Sequence, residues 1–204
     1  MSNVLAVCEQ RAGALRKISH EVVTGARRIA DAQGGAVDAL VLAAGAVTGA
    51  DQLGRFGADK VITLTAAGFA AYAAEGYAQA IAERAKAGGY GAVVFAAGAQ
   101  GKDLAPRVAA KLGVPLAADV TAVAIEGGAL IATRPVYAGK ALLRVQLGGA
   151  PAILALRPNV FTPVERPKAG TAEAVAVNVP AGRVVVQEIK AGPRERSTWP
   201  RRRS

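Results

Sequence analysis

The residues whose types and spacing come nearest to a chemical function are Gly98-Ala99-Gln100-Gly101-Lys102-Asp103. They lie between an apolar run that ends at Ala96 and a helical pattern that follows. In that place free backbone N–H groups and the helix dipole favour an anion. Gly98, Gln100, Gly101 and Lys102 are therefore the weak phosphate-loop candidates of this chain. A Walker loop is excluded, because that motif has four residues between its glycines and Ser or Thr after the lysine, whereas two intervene here and Asp103 follows. An acid at Asp103 suits helix capping and opposes a phosphate, so a plain structural turn is the competing reading.

Other reactive side chains are isolated. His20 has no Cys or paired carboxylates at metal spacing and reads as a solvated histidine. Ser19, His20 and Glu21 are sequence neighbours and cannot converge as a triad. Cys8, the single cysteine, reads as a small packing residue at the end of a strand. Paired acids, a nucleophile elbow and zinc spacing are all missing, so the sequence indicates neither catalytic residues nor a metal site. Arg134-Pro135 and Arg157-Pro158 each place an arginine in extended backbone before a proline, as edge positions or as something more. Lys140 follows Gly139 and reads as a solvated hairpin tip.

The elements that must position these residues follow from periodicity. Ala92 to Ala96 is a short buried strand bounded by Gly91 and Gly98. Leu104, Val108 and Leu112 then mark a helix stripe, with Pro106 placed in its first turn. Upstream, Asn3 to Cys8, Val37 to Ala43 and Lys60 to Leu64 are strands, and Glu9 to Leu15 is a connection. Helices run from about Ser19 to Gln33, with Arg27, Arg28 and Asp31 facing water, and from about Ala73 to Ala87. A short helical piece spans Val47 to Phe56. This alternation is that of a parallel α/β domain. After Gly113 the period becomes two. Ala117 to Glu126, Ala129 to Tyr137 and Ala141 to Leu147 read as a meander, with Leu143, Val145 and Leu147 on a buried face. Ala152 to Leu156, Ala174 to Val179 and Arg183 to Ile189 read as further strands.

Composition narrows the class. With 204 residues and 52% hydrophobic side chains, the chain can bury a sizeable core. No run approaches the ~18 apolar residues of a membrane helix, and the start lacks the layout of a signal peptide, so a cytoplasmic protein without membrane insertion is expected. The net charge of +10 raises the question of nucleic acid, but Pro193 to Ser204 alone holds five arginines against Glu195. The rest shows no interleaving of aromatic and basic residues, so no nucleic-acid partner is expected.

Several motifs occur together in one order. GKDLAPRVAAKLG (Gly101 to Gly113), ADVTAV (Ala118 to Val123), RPVYAGKA (Arg134 to Ala141) and RPNVF (Arg157 to Phe161) resemble the alpha subunit of electron transfer flavoprotein, as does the opening VLAVCEQRAGALRKIS. The resemblance covers Asn3 to Lys190. It implies the N-terminal domain of that subunit, a three-layer Rossmann-like α/β fold of the adenine nucleotide alpha-hydrolase type, with a parallel sheet followed by an antiparallel β-meander. It further implies no enzyme activity of its own but a share in a heterodimeric, FAD-containing electron carrier between acyl-CoA dehydrogenases and a quinone reductase. This chain would supply scaffold and the interface to a beta subunit. In the family most FAD contacts come from a second domain and the AMP belongs to the beta subunit, so FAD is expected in the complete heterodimer and not on this chain alone. Residues 1–190 are thus expected to be the α/β domain. Residues 191–204 are expected to be a disordered basic tail, read out of frame or forming a true terminus. The alternative class is a stand-alone nucleotide-binding, stress-type α/β domain using Gly98 to Asp103.

Overall fold

The structure, a computed structural model, describes residues 2–180, 182–184 and 186–190. The expected tail, 191–204, lies outside the described residues.

Strand β1 (Val4–Cys8) is buried along its whole length, as a short run of Val, Leu and Ala between two layers must be. Within the expected glycine-containing connection, β2 (Gln10–Arg11) and β3 (Ala14–Leu15) close a small hairpin. Helix α1 (Ile18–Gln33) ends at Gly34, whose φ of 67° suits a residue without Cβ. Next come β4 (Val37–Ala43), a 3-10 segment (Ala50–Phe56), β5 (Lys60–Thr65) and helix α2 (Ala74–Gly88). Strand β6 (Ala92–Ala96) then leads into helix α3 (Ala99–Leu112). The second half carries β7 (Leu116–Val120), β8 (Ala122–Glu126), β9 (Ala129–Val136), β10 (Ala141–Gln146), β11 (Ala152–Leu156) and β12 (Thr171–Ala176).

Seven strands form one parallel sheet in the order β12-β5-β4-β1-β6-β11-β7. Three others, β10-β9-β8, form a separate antiparallel sheet. The expected class is present, a parallel sheet with an antiparallel meander, but the meander is an excursion between β7 and β11 rather than the end of the fold. β11 returns between β6 and β7, and β12 crosses to the far edge beside β5. The expected strand Ala117 to Glu126 is divided because Asp119 adopts φ 61° and Thr121 turns its N–H to Thr133 O, 2.8 Å away. The last expected strand, Arg183 to Ile189, is not a strand among its described residues. Val184 and Ile189 remain 71% and 73% exposed there, so propensity is not reinforced by burial.

Two cores flank the sheet. One joins α1 to Val4, Ala6, Val94 and Leu154, with Leu130 and Ala132 of the antiparallel sheet. The other joins α2 and α3 to Leu5, Leu40, Val93 and Ile153. Successive residues of β1 therefore serve opposite layers, as strand geometry requires.

Arg27 corrects the amphipathic reading of α1. It is 4% exposed, with Nη1 donating to Asp59 Oδ2 at 2.8 Å and Nη2 to Gly35 O at 2.7 Å. Nε forms an ion pair with Asp31 at 2.7 Å. A second correction concerns α3, which starts at Ala99 and so takes in the supposed glycine loop; Pro106 lies in its middle. The proline sits on the exposed side, where its missing donor leaves only a carbonyl to water. Gly101 is needed for contact, since a Cβ there would stand 1.7 Å from Ala96 O.

Candidate functional site

The order of the parallel sheet reverses at β1, which has β4 on one side and β6 on the other. In open α/β sheets ligands enter at the carboxyl ends of strands at such a point. Here that place is bounded by Glu9 and the β2–β3 hairpin, by the residues before α2, and by the head of α3.

Gly98 precedes α3 in extended conformation (φ −73°, ψ −176°), and its carbonyl accepts from Lys102 N at 2.9 Å. What faces this helix end is a carboxylate of the chain itself. A Cβ at Gly98 would stand 3.7 Å from Glu9 Oε1. The Glu9 side chain is only 5% exposed, and its Oε2 accepts from Arg16 Nη1 at 2.6 Å. Oε1 has no hydrogen-bond partner among the described residues. Burial pushes the Glu9 carboxyl above the usual carboxylate range, against the pull of Arg16. Ser19 fixes the backbone here: its hydroxyl accepts from Glu9 N and donates to Glu9 O, both at 3.0 Å. Burial likewise pushes the Cys8 thiol up, which makes it an inert packing group. Glu9 thus stands near the position that a bound phosphate would take, and its charge would repel one.

Beside it opens a crevice of about 390 Å³, lined by Gln10, Arg11, Arg16, Tyr72, Tyr77 and Gln100, among others. Tyr72 donates to Asp103 Oδ2 at 2.7 Å and Arg107 Nε to Asp103 Oδ1 at 2.9 Å. Asp103 therefore clamps the second turn of α3 to the segment before α2 and does not cap the helix. These two donors hold its carboxyl below the usual range.

The four phosphate-loop candidates are thereby divided. Gly98 and Gly101 shape the strand-to-helix junction, Gln100 lines the crevice, and the exposed Lys102 acts electrostatically on Asp119, at the other side of α3. There Arg157 makes a two-pronged contact with Asp119, Nε to Oδ1 at 2.8 Å and Nη2 to Oδ2 at 2.5 Å. Arg134 lines the same cavity, which measures about 560 Å³. The two Arg-Pro dipeptides were visible as oddities, but their convergence was not, since β11 had to be placed next to β7 first. Lys140 is exposed at its turn, as expected. His20 is not freely solvated: it is half-buried and stacked on Phe56 with centroids 4.2 Å apart, and burial lowers its pKa. Glu21 turns elsewhere and accepts from Asn159 N at 2.8 Å. Among the described residues, no helix is long and apolar enough to cross a membrane, and no three His, Cys, Asp or Glu side chains gather as metal ligands.

Comparison with known proteins bears on what this arrangement serves. The model of the electron transfer flavoprotein domain matches residues 4–182. The electron transfer flavoprotein subunit alpha of Bacillus subtilis is 33% identical over 189 residues, covering 91% of this chain and 57% of the relative. The subunit alpha of Syntrophomonas wolfei is 35% identical over 152 residues, covering 74% of this chain and 47% of its own length. Protein FixB of Clostridium saccharobutylicum is 36% identical over 159 residues, covering 76% and 47%. The chain thus spans about half the length of these relatives. With the matched region running from β1 past β12, the chain belongs to the electron transfer flavoprotein family and resembles its alpha subunits.

Proposed function

We propose that this chain forms the N-terminal part of the alpha subunit of a heterodimeric electron transfer flavoprotein. The assembled protein carries electrons on FAD, from acyl-CoA-type dehydrogenases to a quinone reductase, in the cytoplasm. The chain itself supplies scaffold and subunit interface and performs no bond chemistry. The observation that carries this reading is the antiparallel sheet. β10 is one edge of it, with one side of its backbone unpaired among the described residues, and it exposes Leu142 at 69% and Leu143 at 44% beside Tyr137 at 81%. Leu143 was expected on a buried face with Val145 and Leu147; those two pack partly against this chain's own core, and on this reading the exposed Leu143 at the end of that row is covered by the beta subunit. Apolar side chains on an open sheet edge favour association.

The residues at the switch point do not fit the pyrophosphate of a flavin dinucleotide, because the buried Glu9 carboxylate stands at the head of α3. That supports placing FAD in the complete heterodimer and not on this chain alone. The same carboxylate counts against the stand-alone nucleotide-binding reading.

The test is to mix the purified chain with an electron transfer flavoprotein beta subunit and follow the mass by sedimentation. A one-to-one complex is expected, and Leu142→Asp with Leu143→Asp should weaken it at least tenfold while the circular dichroism of the free chain stays unchanged. Failure to associate, or unchanged association by the folded double variant, would overturn the reading.

A further inference from the structure

The end strand of the seven-stranded sheet, β12, has its outer edge open among the described residues. It lies in parallel register on β5 from Thr171, whose N–H donates to Asp59 O at 3.1 Å, to Val177, whose N–H donates to Thr65 O at 2.9 Å. In a parallel strand alternate residues turn both backbone groups to the same neighbour. Thr171, Glu173, Val175 and Val177 therefore serve β5, while Ala172, Ala174 and Ala176 present N–H and C=O outward. Those three alanines are exposed, whereas Val175 and Val177 pack partly on the core beside α2.

Natural sheets blunt such an edge with lysine, proline or a bulge. The chain does so just before β12, where Pro163 and Pro167 stand among Glu165, Arg166 and Lys168, and the guard stops at Gly170. β12 itself carries one charged side chain, Glu173, which is paired with Lys60 of β5 at 3.1 Å. At the opposite end of the sheet, β7 has a register shift against β11 and hands on to the antiparallel sheet through Thr121 N to Thr133 O at 2.8 Å.

The open edge is also complementary to itself. Let two copies meet antiparallel about a twofold axis through Ala174, perpendicular to the sheet. Ala174 then faces its own counterpart, and Ala172 and Ala176 face each other's counterparts, so all three outward residues enter pairs that exchange two N–H to O bonds each. Glu173 lies opposite Val175 and apart from the second Glu173. An axis through Glu173 or Val175 would form two such pairs in place of three, and the axis through Glu173 would set like charges face to face.

We propose that β12 is a homodimer contact: a second copy of this chain adds its own β12 antiparallel to the open edge, about an axis through Ala174, and joins the two seven-stranded sheets into one. A twofold contact requires one patch that matches itself, and this neutral edge does. It uses neither β10 nor the switch point, so it is independent of a beta subunit on β10.

The experiment is sedimentation equilibrium of the 204-residue chain over a range of concentrations. The mass should rise from that of one 20.6 kDa chain to twice that value. Ala174→Pro removes an outward donor that β5 does not use, and should weaken association about tenfold or more with circular dichroism unchanged. Ala174→Lys and Ala174→Glu each set like charges across the axis, so each should stay monomeric where the wild type dimerises. Mixing the two should restore the dimer, because residue 174 then meets its opposite charge. Leu142→Asp with Leu143→Asp, on β10, should leave the dimer unchanged. If Ala174→Pro fails to fold, the two charged variants decide. A mass that stays at one chain at every concentration would overturn the proposal. So would a dimer that survives Ala174→Lys, charged variants that fail to recombine, or loss of the dimer with the β10 changes, which would move the contact to that edge.

Discussion

Glu9 is the side chain whose placement says most about what the switch point can hold. Its carboxyl is buried, its Oε1 is unpartnered among the described residues, and its pKa is raised by burial more than Arg16 lowers it. A carboxyl that is harder to ionise in the folded state stabilises the fold less as pH rises. The folded chain holds the proton after the unfolded chain has lost it, so stability falls from the ordinary carboxylate pKa up through the raised one and is then flat. Glu9→Gln, which keeps an acceptor toward Arg16 but cannot ionise, should therefore gain stability relative to the wild type as pH rises from acid to pH 8. Urea melts of both proteins across that range would show this, and a difference independent of pH would contradict it. Gly101→Ala tests the neighbouring contact. With a Cβ 1.7 Å from a backbone oxygen, either the strand or the helix must move, at about 3 kcal/mol or more. The glycines could be seen in the sequence as a turn before a helix. Glu9 could not be connected with them, because about 90 residues of chain separate it from Gly98 and only the β1–β6 pairing brings the two together.

At the scale of elements, the junction of α1 with β5 depends on Arg27. Its side chain is 5% exposed and reaches the acids Asp31 and Asp59 and the carbonyl of Gly35, so it ties the helix end to the turns before β4 and β5. Asp59 in turn accepts from Val37 N at 2.8 Å, at the start of β4. Arg27→Met would keep the apolar stem while taking from Asp59 its cation; Asp31 would keep its ion pair with Arg166 at 2.6 Å. Breaking a fully buried pair costs about 3–5 kcal/mol, and because Asp59 remains a third exposed a loss of about 2 kcal/mol is expected, read as a lower denaturant midpoint. Helical spacing placed Arg27 outside since the pattern records the direction of Cβ, not where a long stem ends. The same limit explains the sheet. β11 is buried at all five positions, so its apolar run announced a strand covered on both faces. Its neighbours depend on a crossover that no local pattern encodes. β12 has exposed positions along an edge, and the run toward Ile189 resembles it in composition; only β12 finds β5 to pair with.

For the molecule as a whole, the two sheets should differ in how readily they open. β1 and β6 lie inside the seven-stranded sheet between two cores, so their amides can exchange only through large-scale unfolding. β10 has one paired neighbour, four successive exposed residues from Ala141 to Arg144, and an ion pair between Arg144 and Glu126 that is half exposed and contributes at most about 1 kcal/mol. Hydrogen exchange followed by mass spectrometry should therefore show peptides across Ala141 to Gln146 exchanging far faster than those across Val4 to Cys8 or Ala92 to Ala96. Adding the beta subunit should slow the first group and leave the others unchanged, because a docked chain covers the open edge and adds little to strands that are already enclosed. If the complex forms while β10 exchanges as before, the subunit sits on another face, and the exposure of Leu142 and Leu143 needs a different occupant. If protection instead appears around Arg11 and Gln100, the partner inserts at the switch point, and the repulsion argued for Glu9 would have to be offset by a cation that the partner brings.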